Sequence, residues 1–310
     1  MQVLVVGSGS LGGYFGGRLT EAGKDVTFLV RPRRAEQIAR HGLRIESPHG
    51  NADLKPQIAL SGSLDGHYDF VLIAVKAYSL DAAMDDLAPA VGPGTAVIPV
   101  LNGMHHLDAL SSRFGQQCVL GGVAQIPATL GPEGQVRHLE EIHNLAFGEL
   151  HGGTSERVRA FAAFCGGAKF NARASEAVVQ EMWEKWAFLA TLAGVTCLMR
   201  AAIGDILAST GGRDTILSLL AECRAVAAAA GHEPRPAFVD LVTGALTKKG
   251  SALTASMLRD IEGGALTEGE HVLGDMVERA ERMDVPTPLL RLARLHVAAY
   301  EARRGRERAA

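Results

Sequence analysis

The sequence predicts an α/β fold: an N-terminal domain on a doubly wound parallel sheet, residues 1–172, followed by an all-helical C-terminal domain, residues 173–310. Three observations carry this reading. Apolar runs of strand length alternate with helical periodicity through the first half. The first of those runs, Val3-Leu4-Val5-Val6, ends in a glycine turn that opens a helix, Gly7-Ser8-Gly9-Ser10-Leu11-Gly12. From Ser175 onward the pattern is helical and alanine-rich, with few strand signals.

In order, Gln2 to Val6 reads as a strand and Leu11 to Ala22 as a helix stopped by Gly23. Asp25 to Val30 is the second strand, and Ala35 to Arg40 a short helix. Leu43 to Glu46 and Gln57 to Leu60 are expected to pair around Pro48-His49-Gly50. Phe70 to Val75 is a continuous apolar run, as suits a strand covered on both faces. Leu80 to Leu87 is helical, Ala96 to Val100 a strand, Val119 to Leu130 and Asn144 to Gly148 further strands, and Glu156 to Phe164 a helix. The second half reads as helices over Val178 to Leu198, Thr215 to Ala230, Pro236 to Leu246, Glu268 to Met283 and Thr287 to Arg303, with Ser175 as a cap for the first.

The glycine turn carries the first chemistry. Gly7 permits a tight turn, Gly9 lets backbone approach a pyrophosphate, and Gly12 lets helix and strand pack closely. The helix that follows points free N–H groups and its positive dipole end at phosphate. This is the dinucleotide fingerprint of a Rossmann-type domain. The second strand ends in Arg31-Pro32-Arg33-Arg34, with no Asp or Glu to accept from a ribose 2′-OH. A guanidinium fits a 2′-phosphate bidentately, so Arg31 favours NADP over NAD; a solvated basic loop is the plainer alternative.

Bulk properties narrow the class. The 310 residues, 47% hydrophobic and 21% charged, suit two globular domains with ample core. A net charge of −3 without a basic stripe argues against nucleic acid, and no apolar stretch is clean enough to span a bilayer. Cys118, Cys165, Cys197 and Cys223 lack C-x-x-C spacing and read as reduced core residues, which suggests a cytoplasmic protein. Arg303-Arg304-Gly305-Arg306 is expected to be a frayed basic tail.

Ligands of open α/β sheets lie beyond the carboxyl ends of the strands. Lys76 and Asn102-Gly103 follow two such ends. Lys76 suits a phosphate, ribose or carboxylate, or is a solvated strand end. Asn102 offers donor and acceptor to a carboxamide or substrate oxygen, although Asn-Gly also makes a turn unaided. In the helical half, Val178, Met182, Leu189 and Leu192 share or border the face of Lys185. Burial would lower its pKa toward that of a useful proton donor. A plain Glu181–Lys185 surface pair is the competing account. Thr267-Glu268-Gly269-Glu270 reads as a capping box; Glu268 at its first turn either enjoys the helix dipole or fixes a lysine or substrate hydroxyl. Ser256 passes as an ordinary polar residue. His138 to His143 holds four potential ligands in a segment read as a solvated loop, so no metal is expected.

Gly7-x-Gly9-x-x-Gly12, Arg31, Lys76, Asn102-Gly103-Met104, Trp183-x-Lys185, Ser256-Met257-Leu258-x-Asp260 and Thr267-Glu268, in this order and spacing, resemble the ketopantoate reductase (2-dehydropantoate 2-reductase) family over nearly the whole chain. The resemblance implies NADPH-dependent reduction of 2-dehydropantoate to pantoate. It implies Lys185 as general acid, with Glu268 supporting it and the substrate. Ser256 would contact the substrate carboxylate, and Asn102 and Lys76 would line the nicotinamide and substrate side. Arg31 would hold the 2′-phosphate, and Gly7, Ser8, Gly9, Ser10, Leu11 and Gly12 would cradle the cofactor, NADP(H). The partner implied is a small 2-oxo acid, with no nucleic acid or membrane and with a homodimer left open. One departure stands out. The family's asparagines one and two turns beyond the lysine are here Leu189 and Ala193, and Thr191 and Thr196 do not replace them in register. This keeps open a more apolar ketone as substrate, or an NADP(H)-sensing protein without turnover.

Overall fold

The structure is a computed structural model that describes residues 1–309. It divides into two compact units, Met1–Leu101 with His106–Val179, and Asn102–His105 with Gln180–Ala310. The first contains β1 (Gln2–Val6), α1 (Ser10–Glu21), β2 (Asp25–Leu29), α2 (Pro32–His41), β3 (Leu43–Glu46), β4 (Ala52–Leu54), β5 (Gln57–Ala59), β6 (Phe70–Ile73), α3 (Leu80–Leu87) and β7 (Ala96–Pro99). It continues with α4 (His105–Phe114), β8 (Leu120–Gln125), β9 (Ala128–Leu130), β10 (Val136–His138), β11 (Asn144–Glu149), α5 (Glu156–Phe164) and β12 (Asn171–Ala174).

The main sheet is parallel, in the order β5-β2-β1-β6-β7. Val3, Val5, Phe28, Phe70, Leu72 and Ile98 share one core with Phe15 and Leu19 of α1 and Phe161 of α5. The alternate residues Leu4, Val6, Leu29, Val71, Ile73 and Val97 are equally buried, so both faces of the sheet are covered. Sequence order reverses direction at β1, with β2 on one side and β6 on the other, which is the switch point of such sheets. Two smaller sheets, β4-β3-β10-β9 and β12-β11-β8, complete the unit.

Several expectations are corrected. Leu43–Glu46 pairs antiparallel with Ala52–Leu54, not with Gln57–Ala59, which instead joins β2 at the edge of the main sheet. The tight turn at Ser47–Asn51 closes the nearer hairpin, where Ser47 N–H donates to Asn51 Oδ1 at 3.0 Å. Val119 to Leu130 is two strands, β8 and β9, in different sheets. Ser175 is buried, and its hydroxyl accepts from Ala177 N–H at 3.2 Å, ahead of the helix it was expected to cap.

The second unit is helical: the bulk of α6 (Val178–Met199), then α7 (Ile203–Ala208), α8 (Gly212–Ala229), α9 (Pro236–Leu246), α10 (Ser256–Glu262), α11 (Asp275–Arg282) and α12 (Pro288–Ala309). The helix α6 is buried nearly all round, with Met182, Trp183, Trp186, Ala187, Ala190 and Val195 in the core. Glu184, also buried, is held by Arg235: Nε donates to Oε1 at 2.8 Å and Nη2 to Oε2 at 2.5 Å. The basic C-terminus is not frayed. The last helix runs on to Ala309, and Arg304 Nε donates to the Gly264 carbonyl at 2.9 Å. No described helix is long and apolar enough to cross a membrane.

Candidate active site

The parallel register aligns Val6 with Leu29 and Ile73, and Ile73 with Pro99. The segments after β1, β2, β6 and β7 therefore emerge along one edge of the sheet. Those after β1, β2 and β6 carry Gly7–Gly12, Arg31 and Lys76. Gly7 sits at φ +90°, and a Cβ on Gly12 would lie 2.0 Å from the Gly7 carbonyl oxygen, so only glycine closes this turn. The space a Gly9 side chain would fill is open. No side chain caps α1 and no acid lies in its first turn, leaving its N–H groups for an anion. The site suits a dinucleotide phosphate.

Arg31 is exposed, and its Nη2 donates to Ser79 Oγ at 3.3 Å. Ser79 ends the 3₁₀ turn that Lys76 caps, which ties the two basic segments together. The sequence reading passed over Arg34. Its Nε donates to Ser8 Oγ at 2.9 Å and its Nη1 to the Gly134 carbonyl at 2.8 Å, bracing the glycine turn. Burial draws its pKa down.

The helical unit holds the other residues. Lys185 stands on α6 with its pKa lowered to about 8 by desolvation, against which the Glu268 carboxylate acts to raise it. Glu181, the alternative partner, instead acts on Arg235. Lys185 is half-buried, and the Glu268 carboxylate acts on its charge.

Glu268 is buried, and its backbone carbonyl accepts from His271 and Val272 N–H. The expected capping box does not form. Thr267 Oγ1 accepts from Gly269 N–H at 3.2 Å, while Thr267 N–H donates to Glu301 Oε1 at 2.7 Å and Glu270 pairs with Arg294. A π-helical turn, Glu270–Gly274, replaces a regular first turn; such turns recur at functional sites. Three contacts from α12 hold the segment before Glu268: Tyr300 to the Ala265 carbonyl, Glu301 to Thr267 and Arg304 to Gly264.

Asn102 belongs to this unit too. Gly103, at φ +84°, lies so near the His271 carbonyl that a Cβ would approach it to 2.5 Å, and Trp186 Nε1 donates to the Val272 carbonyl at 2.9 Å. The loop after β7 is therefore seated on the π turn that follows Glu268 and beside the residue next to Lys185. Ser256 is exposed at the start of α10, whose preceding Ala255 N–H donates to Thr196 Oγ1 at 3.4 Å, about three turns along α6 from Lys185. Leu189 and Ala193 continue the Lys185 face of α6. Thr191 and Thr196 are buried, and their hydroxyls donate to carbonyls four residues back, at 2.8 and 2.6 Å. They do not stand in for the missing asparagines.

The profile described as "Ketopantoate reductase PanE/ApbA" matches residues 3–152, and "Ketopantoate reductase PanE/ApbA C terminal" matches residues 177–301. The chain belongs to the ketopantoate reductase family. It is 38% identical over 302 residues to the uncharacterized oxidoreductase YkpB of Bacillus subtilis (strain 168), covering 97% of this chain and 99% of that one. It is 28% identical to a 2-dehydropantoate 2-reductase of Mesorhizobium japonicum (strain LMG 29417 / CECT 9101 / MAFF 303099), covering 94% of each. The crystal structure of 2-dehydropantoate 2-reductase from Methylococcus capsulatus superposes with a TM-score of 0.86 at 27% identity, covering 98% of each chain. An oxidoreductase of this family uses a nicotinamide cofactor, which agrees with the glycine turn.

Two further groups of side chains were misread or unread in the sequence. His138 and His143 are buried rather than solvated, and His49 joins them. Desolvation, reinforced by His49, His138 and Arg18, holds His143 down at about 4. The four cysteines are free and buried; burial pushes Cys165, Cys197 and Cys223 up to about 12, which makes those thiols inert at neutral pH.

Proposed function

We propose that the protein is an NADPH-dependent reductase of 2-oxo acids, with 2-dehydropantoate as the first substrate to test. The observation that carries the reading is the desolvated Lys185, lowered to about 8 and set against Glu268. A general acid works best with a pKa near the operating pH. Lys185 donates its proton to the ketone oxygen, and its positive charge stabilises the alkoxide as it forms. Glu268 keeps that ammonium protonated and oriented. Asn102 and Ser256 offer polar groups to the substrate. The cofactor, when bound, supplies the hydride for the ketone carbon. Gly7, Ser8, Gly9, Ser10, Leu11 and Gly12 hold its pyrophosphate, with Arg31 on the 2′-phosphate and Lys76 and Asn102 on the nicotinamide and substrate side. Supporting these assignments are the uncapped α1 terminus and the absence of an acid after β2.

Leu189 and Ala193 favour a second reading of the same chemistry, in which the ketone carries an apolar group where the family's substrate carries a hydroxyl. Steady-state oxidation of NADPH with 2-dehydropantoate and with a panel of alkyl and aryl 2-oxo acids separates the two. No turnover with any of them, alongside tight NADPH binding, would instead favour a cofactor-sensing protein.

A further inference from the structure

We propose that His49, His138 and His143 form a binding site for one divalent transition-metal ion of the zinc class, within the sheet-bearing unit. One ring nitrogen of each lies within 4.8 Å of one on each of the others. Their segments are far apart in sequence: His49 on the β3–β4 turn, His138 ending β10, and His143 just before β11.

The hydrogen bonds leave each ring a lone pair. His49 Nε2 lies 2.9 Å from the Glu141 carbonyl, and a carbonyl only accepts, so this nitrogen carries the proton and Nδ1 is bare. His138 Nε2 donates likewise to the Ile142 carbonyl at 2.9 Å, and its Nδ1 accepts from the Ser47 hydroxyl at 2.9 Å. That hydroxyl can rotate away. His143 Nδ1 is 2.8 Å from Tyr14 Oη; with the proton directed at Tyr14, Nε2 is bare. Metal-binding imidazoles characteristically donate the other N–H to a carbonyl, carboxylate or similar outer group, and here all three have such a partner. Three neutral imidazoles are a borderline-soft donor set suited to zinc, nickel or copper rather than to magnesium or calcium.

Charge and access also fit. Arg18, whose guanidinium lies over the Tyr14 ring, is paired with Glu21 at 2.7 Å, a carboxylate that Lys169 also engages. The His49 side chain is 29% exposed and the Glu141 carboxylate, 3.3 Å from His49 Nε2, is in solvent, so an ion can enter there. The rings of His49 and His143 are stacked, with centroids 3.7 Å apart and planes 17° from parallel. Side-by-side lone pairs do not chelate, and tetrahedral zinc needs ligand nitrogens about 3.3 Å apart. Binding therefore requires one ring to swing. His49, on an exposed turn, is the ring free to do so.

The test is titration of chelator-stripped protein with Zn²⁺ by calorimetry, and with Co²⁺ by visible absorption. One equivalent is expected to bind at micromolar concentration or below, with the Co²⁺ bands of a four-coordinate, nitrogen-rich site. His49→Gln, the substitution least able to disturb the fold, should abolish that equivalent, and Tyr14→Phe should weaken it by about tenfold. Turnover of the reductase should be unchanged in His49→Gln. Failure of the wild-type protein to take up Zn²⁺ overturns the proposal, as does an unaltered equivalent in His49→Gln.

Discussion

If Glu268 sets the proton affinity of Lys185, Glu268→Gln should move the alkaline limb of the pH–rate profile toward acid. Desolvation draws the ammonium from 10.5 to about 8, and the Glu268 carboxylate resists that fall. Removing the charge leaves desolvation unopposed. A carboxylate close to a cation raises its pKa by about one to three units, so the variant's limb should drop by about one unit or more. A general acid acts only when protonated, so wild-type kcat/KM should fall as pH rises through about 8. With a shift of about one unit, the protonated share at about pH 7.5 drops from roughly three quarters to roughly one quarter. A single-pH assay would mistake this for a modest loss of catalysis. The informative measurement is kcat/KM from loss of reduced-nicotinamide absorbance, at saturating cofactor, from about pH 6 to about pH 10. A limb that stays put, or moves alkaline, refutes the assignment of Glu268 as the group that holds the proton on Lys185.

Further outcomes follow from the same geometry. Lys185→Met should abolish turnover with little change in NADPH affinity. By relieving the desolvated ammonium it should also stabilise the fold by up to about 3 kcal/mol in denaturant titrations below pH 8. Wild-type stability should then rise between pH 8 and 10.5, as folded Lys185 loses its proton before the unfolded chain does, and the gap should close. Arg31→Gln should weaken NADPH binding by about tenfold to a hundredfold in calorimetry, as expected for loss of a charged hydrogen-bond donor, and leave NADH nearly unaffected. Arg235→Ala removes the half-exposed fork from buried Glu184 but keeps the backbone N–H on it, and should cost about 1–3 kcal/mol at neutral pH by chemical denaturation. That contribution rests on a Glu184 pKa held below 4.5, so it should fade only as pH falls through that lowered value.

The parts of this protein that local physics determines were readable in the sequence. A strand, a glycine turn and a helix in immediate succession leave little choice, and β1, the turn and α1 fall where the pattern puts them. Lys185 was visible as a charge on an apolar stripe, but its partner was not. Spacing offered only Glu181, four residues before it; Glu268 lies too far along the chain for any local pattern to pair them, and the tertiary arrangement sets Glu268 against it. The capping box failed because Thr267 N–H and Glu270 both found partners on α12, far along the chain. Gln57–Ala59 had two strands to join, and a nearer hairpin took the first. Arg34 reads as one more basic residue until Ser8 and Gly134 close around it. The histidine group was illegible for the same reason: His49 lies some ninety residues before the pair it meets.

If Glu268 acts as proposed, the grip of α12 on the segment before it gives three distant residues a share in placing the carboxylate. Tyr300, Glu301 and Arg304 lie within the last eleven residues, yet they fix where a carboxylate sits more than thirty positions upstream. Under that role, removal of Tyr300, Glu301 and Arg304 should lower turnover while leaving Lys185 and Glu268 in the sequence. Preparations judged intact by size alone deserve a mass check at that terminus before a low rate is blamed on the substrate.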